Sequence, residues 1–254
     1  PILLFDILYS RTPEARAYGV GRTRQFLVDA AAINGRDAAD ARLGDAIRES
    51  NVARAAMRRL LALREGRPRV TGTRALALLG ARAFVDCPTY TTLLNRAIAE
   101  LAPVAPLPGP RLLLLGAPPD DTRLHGFLET LGAVVVAEDG GWGTRGVGRD
   151  IAVDGDPFVA IFDKYYDDVP ASRTWAAAND AWVASFTQET TDGVVFYLPP
   201  EDSVSGWDHP RQRAHFEALH IPSLVIRDDA TDPAMMSRWE EPAREFLARL
   251  AQAQ

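Results

Sequence analysis

The chain reads RLLLLGAPPDDTRLHGFLETLGAVVVAEDGGWGTRG from Arg111 to Gly146, and this stretch is the strongest indication of its fold. The runs Leu112–Leu115 and Ala133–Ala137 are wholly apolar, which is typical of strands that are covered on both faces in a parallel sheet. Asp121 or Thr122 is placed to cap a helix between the two runs. The stretch therefore predicts a strand, a helix and a strand, followed by a glycine-rich loop that carries an arginine.

A second block, from Asp192 to Asp229, follows the same plan. We predict a strand over Val194–Tyr197, a helix over Pro210–Leu219 and a strand over Ser223–Ile226. Phe158–Phe162 is interpreted as a further strand or as part of a loop. Alternating strands and helices with short connections indicate an α/β protein with a parallel sheet and helices on both faces.

The front part of the chain is predicted to be helical, after an apolar extended stretch at residues 2–9. Apolar residues recur at helical spacing most clearly within residues 38–65. Further helices are predicted over residues 13–33, 73–84, 89–101 and 172–190. Residues 102–110 form a proline-rich linker. We therefore predict a mainly helical region over residues 1–110 and an α/β domain over residues 111–254.

The composition excludes several classes of protein. The 254 residues carry a net charge of -6, which argues against general nucleic-acid binding. No apolar run approaches the ~20 residues that a membrane crossing requires, and no signal peptide is visible, so a cytoplasmic location is expected. Cys87 is the single cysteine, so an internal disulfide is excluded.

Three predicted strands end in turns that could form a ligand site: Gly116–Pro118, Asp139–Arg145 and Tyr197–Asp202. Ligands of open α/β sheets bind at the carboxyl ends of the strands, so we expect these turns to converge on a cleft. Arg145 is the best candidate, because its guanidinium has a fixed fork of donors for a carboxylate or a phosphate. The alternative is that Arg145 pairs with Glu138 or Asp139.

Other motifs carry weaker signals. The spacing Gly141-x-Gly143-x-x-Gly146 matches a dinucleotide-binding fingerprint, but the residues that follow are a poor start for the helix it requires, which favours an irregular loop. Cys87 is interpreted as a small buried residue. The four histidines lack metal-ligand spacing, and of these His209 is the most interesting because it lies beside a predicted strand-end loop. No metal site is predicted.

The order of several motifs resembles the 2-hydroxyacyl-CoA dehydratase and benzoyl-CoA reductase subunit family. The helical passage has the family's spacing of Ile47, Asn51 and Arg54, followed by Leu63, Arg64, Pro68 and Gly72. After the second strand of the α/β part, Glu138, Asp139, Gly143, Thr144 and Arg145 take the places of two acidic residues and a Gly-Ser-Arg motif. The resemblance extends from about residue 10 to residue 250.

The resemblance implies a flavodoxin-like sheet and a two-subunit enzyme that binds an acyl-CoA next to an iron–sulfur cluster. A separate activator supplies electrons for dehydration of 2-hydroxyacyl-CoA or for reduction of benzoyl-CoA. The resemblance also implies that the segment Tyr165–Arg173, which includes Tyr166, reaches toward the substrate. The alternative is that Ser172 in this segment simply caps the next helix.

This chain departs from the family pattern in its cysteines and its length. Ala117 stands where relatives often have cysteine or asparagine, and Glu201 or Pro200 stands where a second cysteine is common. Because cluster iron prefers thiolates, we expect no cofactor in this chain and any iron–sulfur cluster in a partner subunit. A preceding α/β domain of the family is also missing, so we expect a fragment or a half-length relative.

Two hypotheses follow. In the first, the chain is a cluster-free subunit that supplies fold, a wall of an acyl-CoA pocket or an interface to a homologous cluster-bearing partner; any enzyme it belongs to is a lyase or an oxidoreductase. In the second, it is a stand-alone ligand-binding or regulatory protein. Neither involves nucleic acid or a membrane. The expected ligand-binding residues are Gly116, Ala117, Pro118, Asp139, Arg145, Tyr166, Arg173, Tyr197 and Glu201.

Overall fold

The computed structural model describes residues 2–8, 10–37, 40–118, 121–168 and 176–252. Its backbone contacts group into two compact units. Unit 1 comprises residues 1–55 and 148–169, and unit 2 comprises residues 56–147 and 170–254. The predicted division at residue 110 stays a prediction.

Unit 2 contains a four-stranded sheet in which every pair of neighbours is parallel. The strands are β1 (Arg111–Gly116), β2 (Val134–Glu138), β3 (Gly193–Tyr197) and β4 (Ser223–Ile226), in the order β2-β1-β3-β4. This order matches the first four strands of a flavodoxin-like sheet. The predicted α/β class with a parallel sheet is therefore confirmed.

The helices in the described residues lie before, between and after the strands. They are α1 (Pro13–Ile33), α2 (Asp40–Ala62), α3 (Gly72–Gly80), α4 (Cys87–Leu101), α5 (Arg123–Thr130), α6 (Pro157–Asp167), α7 (Ala176–Ala184), α8 (Ser203–Ala218) and α9 (Met235–Gln252). None of them combines the length and apolar character that a membrane crossing requires.

Successive residues of β1 face opposite helical layers. Leu112 and Leu114 are buried in a cluster with residues of α5 and α9, whereas Leu113 and Leu115 are buried with residues of α7 and α8. Both faces of the strand are covered, which explains why its sequence is continuously apolar instead of alternating.

Three predicted elements differ from the structure. The helix predicted over residues 172–190 ends at Ala184, as α7, and its predicted start, including the cap at Ser172, lies outside the described residues. Phe158–Phe162 is neither strand nor loop but part of α6, because Pro157 occupies the first helical turn and Asp156 accepts hydrogen bonds from the first backbone N–H groups. The predicted helix at Pro210–Leu219 begins earlier, since Asp202 caps α8 through the amides of Val204 and Ser205. Pro210 lies inside that helix.

Unit 1 is built around α1 and α6. Gly19 of α1 lies so close to Phe162 of α6 that an added Cβ would be 2.0 Å from its ring. Arg16 forms an ion pair with Asp163 at 2.7 Å. The apolar stretch at residues 2–8 forms no helix or strand.

Candidate functional site

The order of the strands creates a crevice at one edge of the sheet. β1 and β3 are neighbours in the centre of the sheet. After β1 the chain continues to β2 at one edge, and after β3 it continues to β4 at the other edge, so the carboxyl ends of β1 and β3 form a topological switch point. A cavity of about 150 Å³ lies there, which we call the carboxyl-edge cavity. Its lining includes Ala117, Pro118, Arg123, Tyr197, Asp229 and Thr231.

Close backbone packing shapes this cavity. Gly116 has φ +103°, and an added Cβ would lie 2.2 Å from the carbonyl oxygen of Tyr197, so only glycine fits at this position. The amide of Ala117 donates to the same oxygen at 2.9 Å. The Tyr197 hydroxyl accepts a hydrogen bond from the amide of Ala230 at 2.9 Å. These contacts hold the turns after β1, β3 and β4 together.

The cavity carries charges of both signs. Arg123 donates from Nε to Asp121 at 2.6 Å and from Nη1 to the Thr231 carbonyl at 3.2 Å. Hydrogen bonds from the Thr231 side chain and backbone lower the pKa of Asp229. Sequence reasoning missed Arg123 and Asp229, although Asp228 and Asp229 lie two and three residues after the last predicted strand and could have been assigned to the same edge.

Arg145 is held by a buried carboxylate. Its Nη1 donates to Asp139 Oδ1 at 2.9 Å and to Asn179 Oδ1 at 2.7 Å, and its guanidinium lies 5.2 Å from the centre of the Trp182 ring. Burial raises the pKa of Asp139, and the attraction of Arg145 offsets this only in part. This geometry matches the pairing alternative, and neither Asp139 nor Arg145 lines the carboxyl-edge cavity. Their role in ligand binding stays a prediction.

A second buried ion pair lies beside the first. Arg64 donates to both oxygens of Glu138, at 3.0 and 2.5 Å, and the amide of Thr144 donates to Glu138 Oε1 at 2.7 Å. Burial alone would raise the pKa of Glu138, but the attraction of Arg64 and the hydrogen bonds from His125 and Arg64 outweigh it. The pKa of Glu138 is therefore well below its usual range.

In unit 2, the predicted residue Glu201 is not among the residues that line the carboxyl-edge cavity. Glu201 is in an exposed turn before α8. Tyr166 belongs to unit 1, where its hydroxyl donates to the Ser10 carbonyl at 2.7 Å. Arg173 lies outside the described residues. At the glycine-rich loop, a short 3₁₀ turn over Thr144–Gly146 stands where a dinucleotide fingerprint needs the start of an α-helix.

The residues around the carboxyl-edge cavity do not fit an iron–sulfur cluster. Their potential ligands are carboxylates, hydroxyls and a guanidinium, whereas clusters are held by three or four thiolates. The single thiol of the sequence, Cys87, begins α4. Within the described ranges, no group of three or more histidine, cysteine, aspartate or glutamate side chains is arranged to hold a metal ion.

Comparison with protein families gives a match that covers nearly the whole chain. The family described as 2-hydroxyglutaryl-CoA dehydratase, D-component, matches residues 1–245. Comparison with curated protein sequences gives no significant match.

Proposed function

Because this chain belongs to the 2-hydroxyglutaryl-CoA dehydratase D-component family, we propose that it is a cluster-free subunit of a 2-hydroxyacyl-CoA dehydratase or benzoyl-CoA reductase-like complex. It supplies a wall of the acyl-CoA pocket, or an interface, to a homologous subunit that carries the iron–sulfur cluster. The observation that carries this proposal is the carboxyl-edge cavity, which lies at the ligand-binding edge of the fold and has no thiolate among its lining residues.

The size of the cavity favours a shared pocket over a complete one. A cavity of about 150 Å³ accommodates a group the size of a benzene ring, whereas sites for whole small molecules span roughly 300–1,000 Å³. A second protein surface would therefore supply most of the contacts to an acyl-CoA. In this chain, Ala117, Pro118 and Tyr197 would contact the ligand, and the guanidinium of Arg123 would bind an anionic group of the ligand. Asp139, Arg145, Tyr166, Arg173 and Glu201 stay predicted ligand-binding residues.

Anaerobic purification from the native host tests the proposal. A tagged full-length chain should capture a homologous partner, and iron and labile sulfide should be found in that partner. Cys87→Ser is the matched control and should leave the iron content of the complex unchanged. Stoichiometric iron and sulfide in this chain alone would contradict the proposal. A lone chain that binds a ligand without a partner would favour the stand-alone regulatory protein instead.

The same complex separates the role of a pocket wall from that of an interface. Ala117→Leu fills the carboxyl-edge cavity and should weaken acyl-CoA binding in calorimetric titration without loss of the partner. Arg123→Ala should weaken binding by about 1–3 kcal/mol, the range for loss of a charged hydrogen bond. Ala102→Leu, at an exposed position after α4, is the control. Unchanged affinity in both cavity variants would leave only the interface role.

A further inference from the structure

Lys164 is the single lysine of the chain, and it lies on α6 in unit 1. Its side chain is 5% exposed but lines a cavity of about 590 Å³. The lining of this cavity also includes Asn51, Arg149 and Ile151, the exposed residues 152–154, and the further aspartates Asp150, Asp163 and Asp167. This volume is within the range of sites that hold small organic ligands. The function proposed for the carboxyl-edge cavity does not assign a role to this second cavity.

The environment of the amine would tolerate the loss of its charge. Lys164 Nζ donates to Asp168 Oδ2 at 2.8 Å. The same oxygen accepts the backbone amide of Arg149 at 2.7 Å, and the Arg149 guanidinium lies 3.6 Å from the other oxygen. Asp168 would therefore keep a cationic partner and a hydrogen bond if Lys164 became neutral.

Two features favour the neutral, nucleophilic form of the amine. Burial lowers the pKa of Lys164, and the nearby cations Arg54 and Arg149 lower it further, although the contact with Asp168 opposes them. A lysine amine becomes a nucleophile when it loses its proton, which is why buried lysines serve in covalent chemistry.

We infer that Lys164 is an acyl acceptor for an acyl-CoA thioester that enters this cavity. The Nζ lone pair attacks the thioester carbonyl carbon, so a C–N bond forms and the C–S bond breaks. The electron pair of the C–S bond leaves with the CoA sulfur, which takes up the proton that the amine loses. No oxidant or reductant is needed. The choice of an acyl-CoA rests on the proposed function, whereas the reactivity of the amine does not.

The test uses the isolated full chain and acetyl-CoA, with peptide mass mapping of the acetylated product. Any acetylated lysine must be Lys164, and Lys164→Arg reports the background from the terminal amine. The reference is the double variant Lys164→Arg/Arg96→Lys, which carries one lysine at a position whose side chain is 80% exposed. We expect Lys164 in the wild type to be acetylated several-fold faster than the exposed lysine of this reference.

A second reference avoids any dependence on how the variants fold. The wild-type chain in denaturant presents the same lysine without its cavity, and its acetylation should be slower than in the folded chain. Equal or slower acetylation of the folded chain would overturn the inference. Reaction with phenyl acetate but not with acetyl-CoA would also overturn it. Lys164→Arg should capture the partner subunit as the wild type does. Absence of Lys164 acetylation with normal partner capture would contradict only this inference, whereas absence of partner capture would contradict the proposed function.

Discussion

At the scale of single residues, Arg64 and Glu138 form a buried ion pair in which each charge is stabilised by the other. Both side chains are 1% exposed. Removal of one member of a buried pair leaves the other charge without compensation, at a cost of about 3–5 kcal/mol. Arg64→Met should lower the free energy of unfolding by this amount, as measured by denaturant titration.

The same pair gives a pH dependence with a definite sign. The pKa of Glu138 in the folded chain is below its ordinary value of 4.5, so the stabilisation is present above that pH and is lost as the pH falls below it. Arg64→Met should reduce this acid sensitivity. Arg96→Met removes an exposed pair and should change neither quantity; a loss of stability as large as that of Arg64→Met would refute the argument.

Sequence reasoning identified the acidic pair and its arginine but could not assign the partners. Glu138 and Asp139 are adjacent in the sequence, yet Arg64 binds the first and Arg145 the second. Glu138 is the last residue of β2 and Asp139 follows it; side chains of successive residues at a strand end point in opposite directions, so each carboxylate meets a different part of the chain. Arg64 is 74 residues away from Glu138 and has no local pattern that marks the contact.

At the scale of elements, α1 and α6 pack closely because Gly19 of α1 has no side chain. Gly19→Ala would place a methyl group against the buried ring of Phe162, and such overpacking costs about 1–3 kcal/mol. Gly21, in the same helix, has no neighbouring atom within 4 Å of an added Cβ. Gly21→Ala should therefore stabilise the protein by about 0.5–1 kcal/mol through its higher helix propensity.

Thermal unfolding of the two variants provides the measurement, since each is the control for the other. The melting temperature should fall for Gly19→Ala and rise for Gly21→Ala. A rise of similar size in both would mean that Phe162 moves aside without cost, and the close packing would then have no energetic consequence.

Apolar runs predicted the strands of unit 2 but misassigned one helix. A run such as FVAIF, residues 158–162, is short and continuously apolar, and such runs do not distinguish a buried strand from a buried helix. The preceding Asp156-Pro157 was the available signal for a helix start. For β1 and β3 the same kind of run did predict strands, because turns bound them closely on both sides.

At the scale of the whole molecule, sequence reasoning recovered the α/β class, the parallel sheet and the family, but only part of the carboxyl-edge cavity. Ala117, Pro118 and Tyr197 were placed at one edge, as the cavity requires. The contribution of Asp229 and Thr231 depends on β4 lying beside β3, and strand order is a long-range property that local patterns do not specify. The partner and the cofactor stay proposals.

Because Lys164 is buried in α6, proteolytic cleavage at this residue measures how often α6 opens. A lysine-specific endoprotease can cut at one place only, after Lys164, where the backbone is helical and the side chain is buried. Cleavage into residues 1–164 and 165–254 requires α6 to unwind, so its rate follows the population of open molecules. Gly19→Ala should be cleaved faster than the wild type and Gly21→Ala more slowly, which gel electrophoresis would show. Equally rapid cleavage of all three proteins would mean that α6 opens independently of its packing against α1.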